Sequence, residues 1–265
     1  MQVCCEESFR SEQWVNQYLE RIGYRGPSEA SLSVLCELQE RHLLSVPFEN
    51  LDIVNGVPLS LEIEDLLGKI VGRRRGGFWF ELNRLFGWLL RQMGFKVTDC
   101  LGWMKGETDS LIRRHHVLKV TLDAGSYLCD VGVGGASPLH PLELAEELVQ
   151  AQPNGVWKLT REPRLGWMLN AQKEDGALAR LYSFTEEPRK PEEFRAAALA
   201  CEQLPESHFR MGVIAALRTE NGRRTIDGAE FRAFEGNRLV SSFTPATQAA
   251  FDEALLSHLG VRLDE

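Results

Sequence analysis

Arg73-Arg74-Arg75-Gly76-Gly77-Phe78-Trp79-Phe80-Glu81-Leu82-Asn83 carries a basic cluster through two glycines directly into an apolar run. Leu82, Leu85, Phe86, Leu89 and Met93 continue that run at three- and four-residue spacing to a stop at Gly94, so a helix beginning near Trp79 is expected. Paired glycines ahead of a helix allow a sharp turn and present free backbone N–H groups, an arrangement that holds anions and oxyanions. The same spacing also fits a tight loop with a solvated arginine run.

Upstream the chain reads as helices. Residues 11–22 place Trp14, Val15, Tyr18, Leu19 and Ile22 on one face behind a Ser11 cap, with Gly23 as the stop. Residues 31–44 do the same with Leu32, Leu35, Leu38 and His42. A third segment, capped by Ser60, buries Ile63, Leu66, Leu67, Ile70 and Val71. Beyond Gly94 the period changes to that of strands at residues 95–103, 116–122 and 127–131, the last two joined by a turn at residues 123–126. Further strands are expected at 157–160, 167–169 and 181–184, and this middle third should form a β-barrel or sandwich. A helix from Pro191 to residue 204, strands near 211–217 and 230–240, and a last helix over 246–259 complete the chain. Helices, then strands, then a mixed tail predict an α+β protein of three packed regions with boundaries near residues 90 and 195.

Composition narrows the function. A net charge of −8 argues against nucleic acid as a partner, because phosphate contacts need a basic surface. No apolar run reaches the roughly 18 residues of a membrane span, and Glu6 and Glu7 stand where a signal peptide would be basic and apolar, so no membrane association and a cytoplasmic location are expected. The six cysteines, Cys4, Cys5, Cys36, Cys100, Cys129 and Cys201, are too sparse for a disulfide scaffold and lack metal-ligand spacing, so reduced thiols and no metal are expected. A small molecule is the better ligand.

A second chemical signal is His115-His116, followed across the expected hairpin by Cys129-Asp130-Val131-Gly132-Val133-Gly134-Gly135. The hairpin can set either histidine beside Asp130, and an aspartate next to a histidine fixes its tautomer and raises its basicity. A surface histidine pair with an aspartate capping a glycine-rich turn fits the spacing as well.

Taken together these segments resemble the arylamine N-acetyltransferases. Residues 75–83 are similar to that family's Arg-Gly-Gly-aromatic-X-aromatic-Glu-X-Asn signature, whose X is a nucleophilic cysteine. Val46-Pro47-Phe48-Glu49-Asn50-Leu51-Asp52-Ile53 resembles the family's Pro-Phe-Glu-Asn-Leu segment, and Asp130-Val131-Gly132-Val133-Gly134 its Asp-Val-Gly-Phe-Gly. Residues 18–27 are similar to its first helix and turn. Tyr182-Ser183-Phe184-Thr185, with Glu187-Pro188-Arg189 and Phe194, resembles the approach to its third domain, so the likeness spans residues 10 to 240.

The resemblance implies a cysteine-protease-like three-domain arrangement: a helical domain with the signature loop over residues 1–90, a β-barrel over 91–194 and an α/β lid over 195–265. It implies acetyl transfer from the co-substrate acetyl-CoA, through the cysteine, to an arylamine or hydrazine. It selects His115 as the partner of Asp130, and matches Glu49 and Arg75 to a charged pair supporting the loop at Gly76 and Gly77.

Trp79 departs from this pattern. A thiolate attacks the thioester, whereas an indole N–H is a donor only, so the ping-pong step is expected to be lost or severely impaired. Cys129 should point away from the pocket if Asp130 faces it, by the period of two. Cys36 and Cys100 have no matching histidine, and Cys4 and Cys5 lie in a terminal tail. Three readings follow: an enzyme that keeps its fold and ligands but not its turnover, slow direct transfer with His115 as the base, or a non-catalytic CoA- or arylamine-binding or partner protein.

Overall fold

The computed structural model describes residues 2–106, 113–173, 175–205 and 207–263; the side chains of residues 2–10 and 136 lie outside the description. Helices open the chain: α1 (Gln2–Arg21), α2 (Leu32–Ser45), α3 (Leu51–Val54), α4 (Ile63–Leu66) and α5 (Trp79–Gln92). Ser31 caps α2 as its Oγ accepts the Val34 N–H at 3.4 Å. Ser11 does not cap α1. It lies inside that helix and donates to the Gln92 side chain at 2.6 Å, because α1 already begins at Gln2, where a tail was expected.

The third expected helix is split. Four α-helical residues pass into a wider π turn, Leu67–Gly72, in which the Arg73 N–H donates to the Gly68 carbonyl at 2.9 Å. Leu66, Leu67, Ile70 and Val71 are buried as expected, and so is Lys69, which no apolar period foretells. Helix α5 is buried on nearly every side, with Phe80, Leu82, Leu85, Phe86, Leu89 and Leu90 wholly covered. Each such side chain contributes about 1.5–3 kcal/mol on burial, so α5 is a fixed platform for whatever its first turn presents.

The middle of the chain is an eight-stranded antiparallel sheet. Its strands are β2 (Lys96–Met104), β3 (His115–Leu122), β4 (Gly125–Cys129), β5 (Leu142–Glu143), β6 (Val149–Gln152), β7 (Gly155–Glu162), β8 (Gly166–Gln172) and β9 (Leu178–Phe184), in the order β5-β4-β3-β2-β9-β8-β7-β6. Side-chain amides link the two edges. The Gln150 side chain accepts from the Glu143 N–H and donates to its carbonyl, both at 2.9 Å, and Gln152 repeats this on His140 at 2.9 Å. Asn154 continues the pattern to the Leu139 N–H and the Ser137 carbonyl. An amide side chain reproduces the donor and acceptor of a peptide unit, so the nearly closed barrel satisfies its edges where no ladder runs.

After α6 (Pro191–Gln203) the chain forms β10 (Ile214–Thr219), β11 (Gly222–Asp227), β12 (Glu230–Glu235) and β13 (Arg238–Phe243), then α7 (Gln248–Leu259). Two expectations fail here. The run at 230–240 is two strands turning at Gly236 and Asn237, and β11 was not foreseen between them and β10. The C-terminal sheet takes its first strand from far upstream: β1 (Phe48–Glu49) pairs with β10 through Phe48 opposite Ala216 and Glu49 opposite Ala215. The fold is therefore α+β. Among the described residues, no helix is long and apolar enough to cross a membrane.

Candidate active site

Strand β1 also meets the glycine loop. The Glu49 N–H donates to the Gly77 carbonyl at 2.9 Å and the Gly77 N–H to the Pro47 carbonyl at 3.2 Å. A Cβ on Gly76 would stand 2.2 Å from the Pro47 carbonyl oxygen, which no side chain tolerates. The glycines thus serve a close backbone approach. Two of the N–H groups expected to hold an anion are occupied: Gly77 donates to Pro47, and Phe78 donates to the Glu81 carboxylate at 2.8 Å.

Arg75 is buried beside this loop, whereas Arg73 and Arg74 are exposed. Its Nε donates to Glu49 at 3.0 Å and its Nη2 to Asp52 at 2.8 Å. Lys69 joins the same group, 2.6 Å from Asp52 and 2.8 Å from Glu81. Burial opposes the positive charge on Lys69, yet Glu81, Glu49 and Asp52 hold its pKa above the ordinary value. Burial raises the Glu81 carboxyl, with Lys69 and the Phe78 N–H pulling the other way. Glu49 and Arg75 are therefore two members of a five-charge cluster, and the sequence reading missed Asp52, Lys69 and Glu81. A lone lysine in Leu66-Leu67-Gly68-Lys69-Ile70-Val71 was the available signal, because lysine is rarely buried unless paired.

The hairpin brings the second group to the start of α5. His115 and Asp130 meet with Nε2 2.8 Å from Oδ2, both side chains buried. Strand β4 stops at Cys129, opposite Leu118, so Asp130 is free to turn towards His115 as the chain leaves the ladder. Burial raises the Asp130 carboxyl, but the His115 charge and hydrogen bonds from His115, Asn83 and the Gly132 N–H bring it below its ordinary value. Asn83 is the hinge-pin of this group. Its Nδ2 donates to Asp130 at 2.9 Å and to the His116 carbonyl at 2.7 Å, while its Oδ1 accepts the Val131 N–H at 3.0 Å. Asn83 stands four residues from Trp79 on α5, a same-face spacing that could have marked it.

His116, one residue on, points to the opposite side of β3. Its Nε2 lies 2.9 Å from Asp99, and its ring packs against Phe194 with centroids 4.8 Å apart. Burial alone would raise the Asp99 carboxyl, yet His116, Arg91 and Arg84 hold it at about 2, below the 3.8 of a free side chain. A carboxyl depressed on folding stabilises above its unfolded pKa and loses that contribution as pH falls through the folded value. Asp99→Asn should therefore lose on the order of 2 kcal/mol at neutral pH, with the deficit closing as pH falls from about 4 to 2. Urea titrations at stepped pH measure this; a deficit unchanged down to pH 2 would remove the assignment.

Matches to known proteins agree with this layout. The N-acetyltransferase family model matches residues 31–265. The arylamine N-acetyltransferase of Mycolicibacterium smegmatis is 36% identical over 256 residues, covering 94% of this chain and 92% of that protein. The chain belongs to the arylamine N-acetyltransferase family. The Salmonella typhimurium arylamine N-acetyltransferase superposes with a TM-score of 0.90 at 25% identity, covering 95% and 92% of the two chains. The Mycobacterium marinum arylamine N-acetyltransferase in complex with CoA gives 0.85 at 31% identity, covering 93% and 92%.

Within this arylamine N-acetyltransferase fold the indole of Trp79 fills the space beside the histidine. Trp79 is 5% exposed. Its ring stands edge-on to His115 at 5.2 Å and to Phe209 at 4.8 Å, with Phe78 at 4.5 Å. The Tyr182 ring also packs on His115, with centroids 4.6 Å apart, and burial followed by the Asp130 charge pushes its hydroxyl pKa up. Gly132 admits the backbone of α5 here, since a Cβ would lie 2.6 Å from the Trp79 Cβ. Neither the Trp79 Nε1 nor the His115 Nδ1 has a hydrogen-bond partner among the described residues. Phe209 and Tyr182 were not singled out as site residues, and Phe209 carries no local signal. Neither Cys129 nor Cys100 stands in: burial pushes Cys129 well up and Cys100 up to about 12, leaving both neutral.

Proposed function

We propose that this chain is an arylamine N-acetyltransferase-type protein that keeps the ligands of the family, acetyl-CoA and an arylamine or hydrazine, but does not perform ping-pong acetyl transfer. One observation carries the reading: Trp79 is buried and edge-on to His115, and by the signature resemblance it stands where the family has its nucleophile, so that its indole would take the room a sulfur and an incoming acyl group need. An indole N–H can donate but cannot attack a thioester. His115, Asp130, Glu49, Arg75, Gly76 and Gly77 then serve as the remaining frame of a site whose reacting atom is missing. The cysteine-protease-like arrangement, with a helical domain over 1–90, a barrel over 91–194 and an α/β lid over 195–265, belongs to the same reading.

Direct transfer with His115 as the base is disfavoured, because the His115 ring is wholly buried under Trp79 and Tyr182 and an amine would have to displace one of them. The relative solved in complex with CoA supports retention of the co-substrate. Calorimetry should detect CoA binding in the millimolar range or tighter, while acetyl-CoA and a simple arylamine give no acetyl transfer above the uncatalysed rate. No heat at about 10 mM CoA would count against ligand retention. Turnover that His115→Ala abolishes would restore direct transfer in its place.

A further inference from the structure

A cleft of about 730 Å³ opens between α2, the barrel and the C-terminal sheet, and Trp79, His115 and Asp130 are not among its walls. Two guanidinium groups and an indole line it. Arg218, on β10, is only 9% exposed. Its Nη2 donates to the carbonyls of Gly135 at 2.7 Å and Ser137 at 2.8 Å, while its Nε has no partner among the described residues. Arg223, on β11, lies over the Phe234 ring at 4.0 Å and donates to the Gly236 carbonyl at 3.0 Å. Gly135 leaves it room, since a Cβ there would stand 2.6 Å from the Arg223 Cδ. Trp157 is 4% exposed with its Nε1 unpartnered among the described residues.

Among the described residues the charge is uncompensated. Two carboxylates share the walls, Glu40 and Glu220, but neither makes a salt bridge to Arg218 or Arg223 among the described residues, and Glu40 is engaged by His140 at 3.2 Å. Burial, then the like charge of Arg223, depress the Arg218 guanidinium to about 10. A buried cation without a counter-ion is costly, and guanidinium and indole groups donate but never accept. The complement is an oxyanion. Leu44, Leu139 and Leu181 supply apolar wall to the same cleft.

We infer that this cleft binds a small organic oxyanion, a carboxylate or phosphate monoester on an apolar body, with Arg218 and Arg223 holding the anionic end. Bidentate guanidinium contacts suit both headgroups. The inference does not depend on whether Trp79 has ended acetyl transfer.

Calorimetry on the full chain with benzoate, phenyl phosphate and inorganic phosphate tests it. Benzoate or phenyl phosphate should bind, whichever is tighter identifying the headgroup, and phenyl phosphate should exceed inorganic phosphate severalfold. Arg223→Met should weaken binding about tenfold or more, the loss of one charge-assisted contact. Arg218→Met also removes the tether on residues 135 and 137, so Arg218→Lys, which keeps the charge and loses the fork, is the companion variant and should weaken binding while the protein stays folded. The inference is overturned by no binding of any probe at about 10 mM, by binding unchanged in Arg223→Met, or by inorganic phosphate binding as tightly as phenyl phosphate. Complete displacement of the probe by CoA would also overturn it, by making the cleft part of the co-substrate site.

Discussion

Lys69→Met is expected to destabilise the protein by about 3–5 kcal/mol, the cost of breaking a buried ion pair from one side. The Lys69 ammonium is 2.6 Å from Asp52 and 2.8 Å from Glu81, and its side chain is 6% exposed. With the ammonium gone, Asp52 keeps Arg75, but the Glu81 carboxylate, 2% exposed, is left with the Phe78 N–H alone among the described residues. The damage should fall on the turn from Gly76 into α5, because Glu81 holds the first N–H of that turn. Adding Glu81→Gln to Lys69→Met removes the orphaned charge and should recover part of the loss, since both partners of a pair cost less to remove than one. Denaturant melts of the four proteins give the coupling. A single-variant loss below about 1 kcal/mol would mean that the cluster is solvated and adds little.

This cluster also marks where the sequence stops being legible. Helix α5 could be read because its apolar residues repeat at helical spacing, and the β3–β4 hairpin because two β-type runs flank one short turn. That hairpin, a local construction, put either His115 or His116 beside Asp130, and the family resemblance selected His115. The Glu49–Arg75 contact came only from the family resemblance, since their meeting depends on β1 lying against Gly77 while pairing with β10. Asp52, Lys69 and Glu81 converge through the same long-range packing and leave no periodic trace. The missed strands are of another kind. Val149–Gln152 and Gly222–Asp227 are largely polar, with Gln150, Gln152, Arg223 and Arg224 where an apolar alternation would have announced them. Phe209 reaches Trp79 because Asn50 holds its carbonyl at 2.8 Å, which again joins distant segments.

Trp79→Cys is expected to produce a reactive thiolate and a rate of acetyl transfer well above that of the parent chain. The parts that would serve the new thiol are in place: His115 is fixed on Asp130 at 2.8 Å, Asp130 is held by Asn83 and the Gly132 N–H, and the Glu49–Arg75 contact braces the preceding loop. A histidine beside a cysteine lowers the thiol pKa into the range where it attacks thioesters. The exchange has a structural cost. Removing an indole packed against Phe78, Phe209 and His115 leaves space worth about 2–4 kcal/mol in lost burial and cavity, so the variant should melt earlier while gaining activity. That same space is where an acetyl group would sit. The measurements are the rate of acetyl transfer from acetyl-CoA to a simple arylamine, the mass of an acetyl adduct on residue 79, and the pH dependence of thiol alkylation. Asp130→Asn added to Trp79→Cys should return the thiol towards its ordinary pKa near 8.5, because the histidine loses its charged partner. A folded Trp79→Cys protein with no adduct and an ordinary thiol would show that His115 and Asp130 no longer act as base and orienter. The non-catalytic binding reading would then take the place of the enzyme that lacks only its nucleophile.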